Sequence, residues 1–333
     1  NDDIRRLTSV VCHSLSDVPD IIDTWNEGKV ADVEGYYENA KINRVYVDRV
    51  HVKKAFAEYA AAYNADDPKI KLKIDHTYRV AALCERIAKA AGMCAYDVEL
   101  AWLSGMLHDV GRFEQIKRYN TFSDADSVDH AKFGADLLFK DGLISTFLKG
   151  MVKCTGYKPG ALEDRYSSDG VFLYDRLNKS DMEMLELAIR CHNMYRIPQG
   201  LNSREQAFCN VLRDADKVDI FKVNIDTPLE EIYNTTTEEL MKSNITDEVL
   251  EAFDEEHCIL KAIRRTPADT VIGHVSLAYE LVYDESVRIT VEQGYLAKLM
   301  HFNSDNEETN RKMAVVREKM DSYVKKRIGE KDA

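Results

Sequence analysis

The stretch AWLSGMLHDVGRFEQ, residues 101–115, decides how this chain is read. From Ala101 to Leu107 the positions are apolar or small on nearly every side, so a helix there is deeply buried. That apolar run ends on His108 and Asp109. A buried ionised carboxylate is costly unless it is paired or binds a cation. Small and basic residues, Val110, Gly111 and Arg112, follow at once, so charge is gathered at the end of a buried rod.

The flanking sequence repeats the theme. Between Ile74 and Ala91 apolar residues recur at 80, 83, 87 and 90/91, a helical stripe that Gly92 stops. His76 lies on the stripe 76, 80, 83, 87 and points inward. Further helices are predicted over Asp97 to Asp109, Ser127 to Phe139, and Ser180 to about Tyr195, the last with a capping-box pattern of Ser180 and Glu183. Another opens at Asn202 or Ser203 and carries Phe208, Leu212 and Val218. The C-terminal third (229–330) is also helical, with a cap at Thr246-Asp247-Glu248 and a charged last helix. The β-like segments VYV (45–47) and VFLY (171–174) belong to no alternating series. The predicted fold class is therefore all-α. Gly156 to Asn178 is rich in Gly, Ser, Asp and Tyr and reads as a long loop, the kind that forms lids or binding loops.

Composition narrows the function. The chain has 333 residues, with 45 Lys and Arg against 58 Asp and Glu, a formal charge of −13. That balance argues against broad binding to nucleic acids or membrane surfaces, since both are polyanions. No apolar run spans a bilayer and no signal peptide is visible, so a cytoplasmic location is expected. Seven Cys without a CxxC pair exclude a zinc ribbon and a disulfide framework, and read as buried free thiols.

Four His occupy apolar helical faces. Besides His76 and His108, His130 shares a face with Gly134 and Leu137, and His192 with Leu185, Ala188 and Ile189. Asp216 lies one turn beyond Leu212. Any one of these is an ordinary hydrogen-bonded core residue. Four inward His and two inward Asp from five helices make a poor apolar core and a good metal site, because cations compensate carboxylates and bind neutral imidazole.

The order LKIDHTYRV (72–80), GMLHDVGRFEQ (105–115), SVDHAKFGADLLF (127–139), AIRCHNMYRIP (188–198) and RDADKVDIF (213–221) resembles the HD-domain superfamily of metal-dependent phosphohydrolases. The resemblance covers about 72–222 and implies an HD-domain helical bundle. It divides the chain into a short N-terminal extension (1–60), a metal-binding core (61–225) and a C-terminal helical region packed on that core (226–333). It implies metal ligands His76, His108, Asp109, His130, His192 and Asp216, with Asp109 shared by two ions. The spacing from His130 to His192 is longer than in many compact members, which bears on pocket shape. The nitrogen-rich set favours two divalent transition-metal ions, Mn, Fe, Co, Ni or Zn, over Mg. Two ions about 3.5–4 Å apart acidify a shared water and draw charge from a phosphoryl oxygen.

On this resemblance Asp109, Arg112 and Lys217 are the catalytic residues, and Arg112, Arg79 and Asn193 the substrate contacts. A salt bridge to Glu114 is the plain alternative for Arg112, and a solvated role that for Lys217. The expected partner is a small phosphorylated or nucleotide substrate, and segments 111–125 and 155–178 together with the C-terminal helices are expected to select it. The same ligand pattern also occurs in diiron HD-type oxygenases that activate O2, and a non-catalytic metal-binding helical module is a third reading. His13, His51, His257, His274 and His301 read as surface or core residues, with His274 able to reach the pocket rim. The aromatics of 266–284 read as core packing.

Overall fold

A computed structural model describes residues 47–64, 66–148, 153–154, 172–173, 177 and 179–329. The described residues fall into two compact units. One holds residues 47–55 with 145–148, 153–154, 172–173 and 177; the other holds the described part of 56–144 and 179–329. Helix α1 covers Arg49–Ala61.

In the smaller unit, His51 Nε2 lies 3.0 Å from the Thr146 carbonyl, on α6 (Ile144–Leu148). Strands β1 (Lys153–Cys154) and β2 (Phe172–Leu173) form a two-residue antiparallel pair. VFLY thus contributes Phe172 and Leu173 to a strand, while in VYV only Val47 is described, and it is not in one. Residues 1–46, with His13, and most of the 156–178 loop lie outside the described residues.

The larger unit is helical among its described residues. Helix α2 (Pro68–Ala90) begins earlier than the apolar stripe indicates, because Asp67 accepts from Lys69 N and Pro68 fits the first turn. It lies along α3 (Ala95–Leu107), in which Val98 and every residue from Leu100 to Leu107 are buried. A Cβ on Gly105 would meet Ala81 Cα at 2.6 Å, so only glycine lets α3 approach α2 this closely. Helix α4 (Val110–Tyr119) follows after one corner, and α5 (His130–Ala135) returns against it, ending in a π turn over Asp136–Lys140. Gly111 and Gly134 meet at this crossing: a Cβ on Gly111 would stand 2.3 Å from the His130 carbonyl.

Helix α7 (Lys179–Cys191) is already under way at Ser180, so the expected Ser180 cap is not the helix start. It ends four residues before Tyr195. The buried guanidinium of Arg213 donates to the carbonyls of Cys191 (3.4 Å), His192 (3.5 Å), Met194 and Tyr195 (3.3 Å), taking up groups that would otherwise continue the helix. Helix α8 (Ser203–Asp226) has the full capping box of Asn202 and Glu205. Similarly, α5 opens at His130 rather than Ser127, since Ser127 Oγ donates to Ser123 O and holds a loop.

Among the described residues, eight shorter elements and one long helix complete the unit: α9 (Leu229–Tyr233), α10 (Thr237–Lys242), α11 (Asp247–Phe253), a 3-10 turn (Lys261–Ile263), α12 (Pro267–Val275), a second such turn (Ser276–Glu280), α13 (Asp284–Gln293), α14 (Tyr295–Met300) and α15 (Glu307–Ile328). Helix α8 touches α13 and α14, and α15 packs on α13. Thr246 stands at the start of α11, but its hydroxyl bonds Asp269 rather than its own helix. Ala268, Val271, Ile272, Val275, Ala278 and Leu281, in 266–284, are buried. Among the described residues no helix is long and apolar enough to cross a membrane.

Candidate metal centre

The site begins at the corner between α3 and α4. His108 closes α3, and Asp109 turns the chain with φ −107° and ψ 15°. One buried helix end therefore presents two adjacent polar side chains. Helix α2 adds His76, α5 adds His130 as its first residue, the end of α7 adds His192, and α8 adds Asp216.

The four imidazoles all turn Nε2 to one point. His76 Nε2 stands 3.3 Å from His108 Nε2, and His130 Nε2 stands 3.0 Å from His192 Nε2. Between these pairs lies the Asp109 carboxylate. Its Oδ2 is 3.5 Å from His76 and 3.4 Å from His108, while its Oδ1 is 3.5 Å from His130 and 3.8 Å from His192. Asp216 Oδ1 joins the first pair, 3.1 Å from His76 and 3.9 Å from His108. The ligand atoms of His76, His108 and Asp216 all lie within 4.8 Å of one another, as do those of His108, Asp109 and His192. All six ligands expected from the sequence are thus brought together.

What lies behind the rings fixes their tautomers. His108 Nδ1 donates to Gly105 O and His192 Nδ1 to Ile189 O, each at 2.7 Å. A carbonyl only accepts, so both rings carry their proton on Nδ1 and turn a lone pair inward. His130 Nδ1 lies 2.7 Å from Asp124 Oδ2, and His76 Nδ1 lies 2.6 Å from Asp219 Oδ2. Carboxylate–imidazole pairs of this kind orient metal ligands and raise their basicity.

Electrostatics agrees. Burial pushes His192 down to about 3, helped by the neighbouring imidazoles, and burial with Arg112 lowers His130, so both rings stay neutral. Two neutral rings with lone pairs facing at 3.0 Å repel unless a cation lies between them. Burial would raise Asp109, but Lys73 and the imidazoles outweigh it and hold the carboxyl well below its usual range. His76 differs. Burial and Lys73 lower it, yet hydrogen bonds to Asp216 and Asp219 raise it on balance. A donor set of four imidazoles around a central carboxylate suits borderline transition metals.

Residues 74–224 match the family model of the HD domain. That segment is an HD domain. No curated protein and no solved structure matches the chain. The HD domain belongs to a superfamily of metal-dependent phosphohydrolases, and its candidate metal ligands all lie within the matched segment.

The other expected site residues surround this HD centre in more varied ways. Arg79 grips Asp219 with two hydrogen bonds of 2.6 and 2.9 Å, so it acts on His76 through that carboxylate. Asn193 donates to Asp129 (2.9 Å) and Asp124 (3.2 Å), behind His130. Arg112 Nη1 donates to Gln115 (2.6 Å), the Phe122 carbonyl (2.7 Å) and Asp124 (2.8 Å), with its Nε 3.9 Å from Asp109 Oδ1. Glu114 is not its partner, being taken by Tyr63 and Arg118. Lys217 is buried rather than solvated. Burial and Arg213 lower it to about 8.

Three participants were not foreseen. Asp219 stands three residues after Asp216, Asp124 six before His130, and Lys73 three before His76. Asp219 and Lys73 are each one helical turn from a candidate ligand, and that spacing was the available signal, whereas Asp124 sits in the loop before α5. The remaining described His lie elsewhere: His257 pairs with Glu280, His274 has its ring against Tyr233, and His301 Nδ1 donates to Ala297 O.

Proposed function

We propose that the HD domain is a phosphohydrolase that uses two divalent ions to cleave a small phosphoester or nucleotide. The observation that carries the reading is the division of Asp109, whose Oδ2 faces one pair of imidazoles and whose Oδ1 faces the other. His76, His108, Asp216 and Asp109 Oδ2 would hold one ion. His130, His192 and Asp109 Oδ1 would hold the second, with fewer protein ligands and so more coordination positions for water and substrate. Such an ion pair supplies an acidified water and charge neutralisation at a phosphoryl oxygen.

The chain's own side chains set the conditions. The Gly105 and Ile189 carbonyls and the Asp124 and Asp219 carboxylates keep protons on Nδ1, leaving Nε2 free to ligate. Arg112 borders Asp109 and adds positive potential on the Oδ1 side. Lys217 balances the charge of Asp214 and Asp216 on α8. Protein loaded with Mn2+ should release phosphate or nucleoside from a panel of esters and nucleotides, and Asp109→Asn should abolish this. Two bound ions without turnover would overturn the reading. O2 consumption by an iron-loaded sample would assign the centre to an oxygenase instead.

A further inference from the structure

We propose that Lys73 is a cation with two alternating partners. It holds Asp109 in the metal-free protein and passes to a phosphoryl oxygen of the substrate once Asp109 is coordinated. The proposal rests on the two-ion reading above. Lys73 precedes His76 by three residues on α2, so both share one face. Its Nζ donates to Asp109 Oδ2 at 2.7 Å. That is the oxygen facing His76 and His108, at 3.5 and 3.4 Å. An ammonium therefore stands on the lone pairs that the first ion would take.

The side chain is placed to leave that position. Lys73 keeps 16 % of its side-chain surface exposed against 2 % for Asp109, so its stem links the buried carboxylate to solvent. The Phe122 ring lies 5.4 Å from the Lys73 ammonium and 5.7 Å from the Arg112 guanidinium, so the three residues are neighbours beside Asp109. The other nearby cations are differently committed. Arg79 is bound twice to Asp219, and Arg112 Nη1 has three acceptors, none of them among the six ligands of the two-ion reading. Like charges repel, so Lys73 and a divalent ion compete for Oδ2. A lysine ammonium is a compact, rotatable donor on a flexible stem, suited to exchanging one anionic oxygen for another.

Competition and hand-over have opposite signatures when the charge is removed. Lys73→Gln should bind Mn2+ about threefold or more tightly, because a rival cation is gone. The Mn2+-loaded variant should bind inorganic phosphate about tenfold more weakly, the scale of one lost charge-assisted hydrogen bond. Lys73→Arg should keep phosphate affinity near that of the wild type. Calorimetric titration of metal-free protein with Mn2+, and of loaded protein with phosphate, reads both arms. Should Lys73→Gln unfold, Lys73→Met preserves the packing of the stem and takes its place. Unchanged phosphate affinity, or a loss of both affinities together, overturns the proposal. Neither arm needs turnover, so a wild type inert toward every ester would sink the hydrolase reading while leaving this one readable.

Discussion

His192 shows how much a single residue here asks of its surroundings. It is buried, kept neutral, and faces a second neutral ring at 3.0 Å. The consequence for pH follows from its proton. His192, lowered to about 3, and His130, also lowered, are neutral when folded, whereas an unfolded imidazole charges near 6.5. Below about 6.5 the unfolded chain therefore binds more protons, and each ring removes up to about 1.4 kcal/mol of stability per pH unit. His76, raised, works the other way: it stabilises below 6.5 and loses that contribution as pH rises through its folded value. With His274, also lowered to about 3, three rings oppose one, and the lowered Asp109, Asp216 and Asp219 add loss only below about pH 4. The melting temperature of metal-free protein should thus fall steadily from pH 7 to pH 5; a rise over that range would contradict the electrostatics. The ligands were legible because an imidazole or carboxylate on an apolar face lacks an ordinary explanation. Asp219, Asp124 and Lys73 were not, because a charged residue a few positions from such a residue reads as a solvated side chain until its partners are seen.

At the level of elements, glycine rather than any apolar residue sets the centre's dimensions. Gly105 lets α3 close on α2, and Gly111 lets α4 close on α5, where a Cβ would stand 2.3 Å from the His130 carbonyl. Gly111→Ala must push back the first turn of α5, which begins with the candidate metal ligand His130. We expect a loss of about 1–3 kcal/mol in denaturant unfolding, together with weaker binding of the second ion in a metal titration. A stability loss with both ions bound at full strength would show that this crossing does not position His130. The sequence revealed α2, α3 and α8 through their periodicity and caps. The true end of α7 was hidden, since the Arg213 guanidinium that takes its last carbonyls comes from another helix. The start of α5 was hidden in the same way, by hydrogen bonds of Ser127 that no local pattern announces.

On the scale of the whole molecule, the helices beyond the HD segment are tied to it by a buried carboxylate. Asp214 of α8 accepts from Val282 N (2.9 Å), Tyr283 N (3.0 Å) and Ser286 Oγ (2.7 Å) at the start of α13. It sits two residues before the candidate ligand Asp216 and turns away from the centre toward the C-terminal helices. Asp214→Ala leaves those donors buried and unpaired, so it should destabilise the protein by about 1–3 kcal/mol or more while leaving the metal count unchanged; loss of ions would show that the C-terminal helices shape the site. That the last third is helical was readable from its pattern, but not this anchor, because an acidic pair in RDADK gives no sign of which carboxylate faces a metal. The central claim is that Asp109 divides six ligands into two ion sites, and counting bound metal tests it most directly. Elemental analysis of Mn2+-saturated, desalted protein should give two ions per chain for the wild type, one for His192→Gln, and none for Asp109→Ala. One ion in the wild type, or the same count in wild type and His192→Gln, would contradict it.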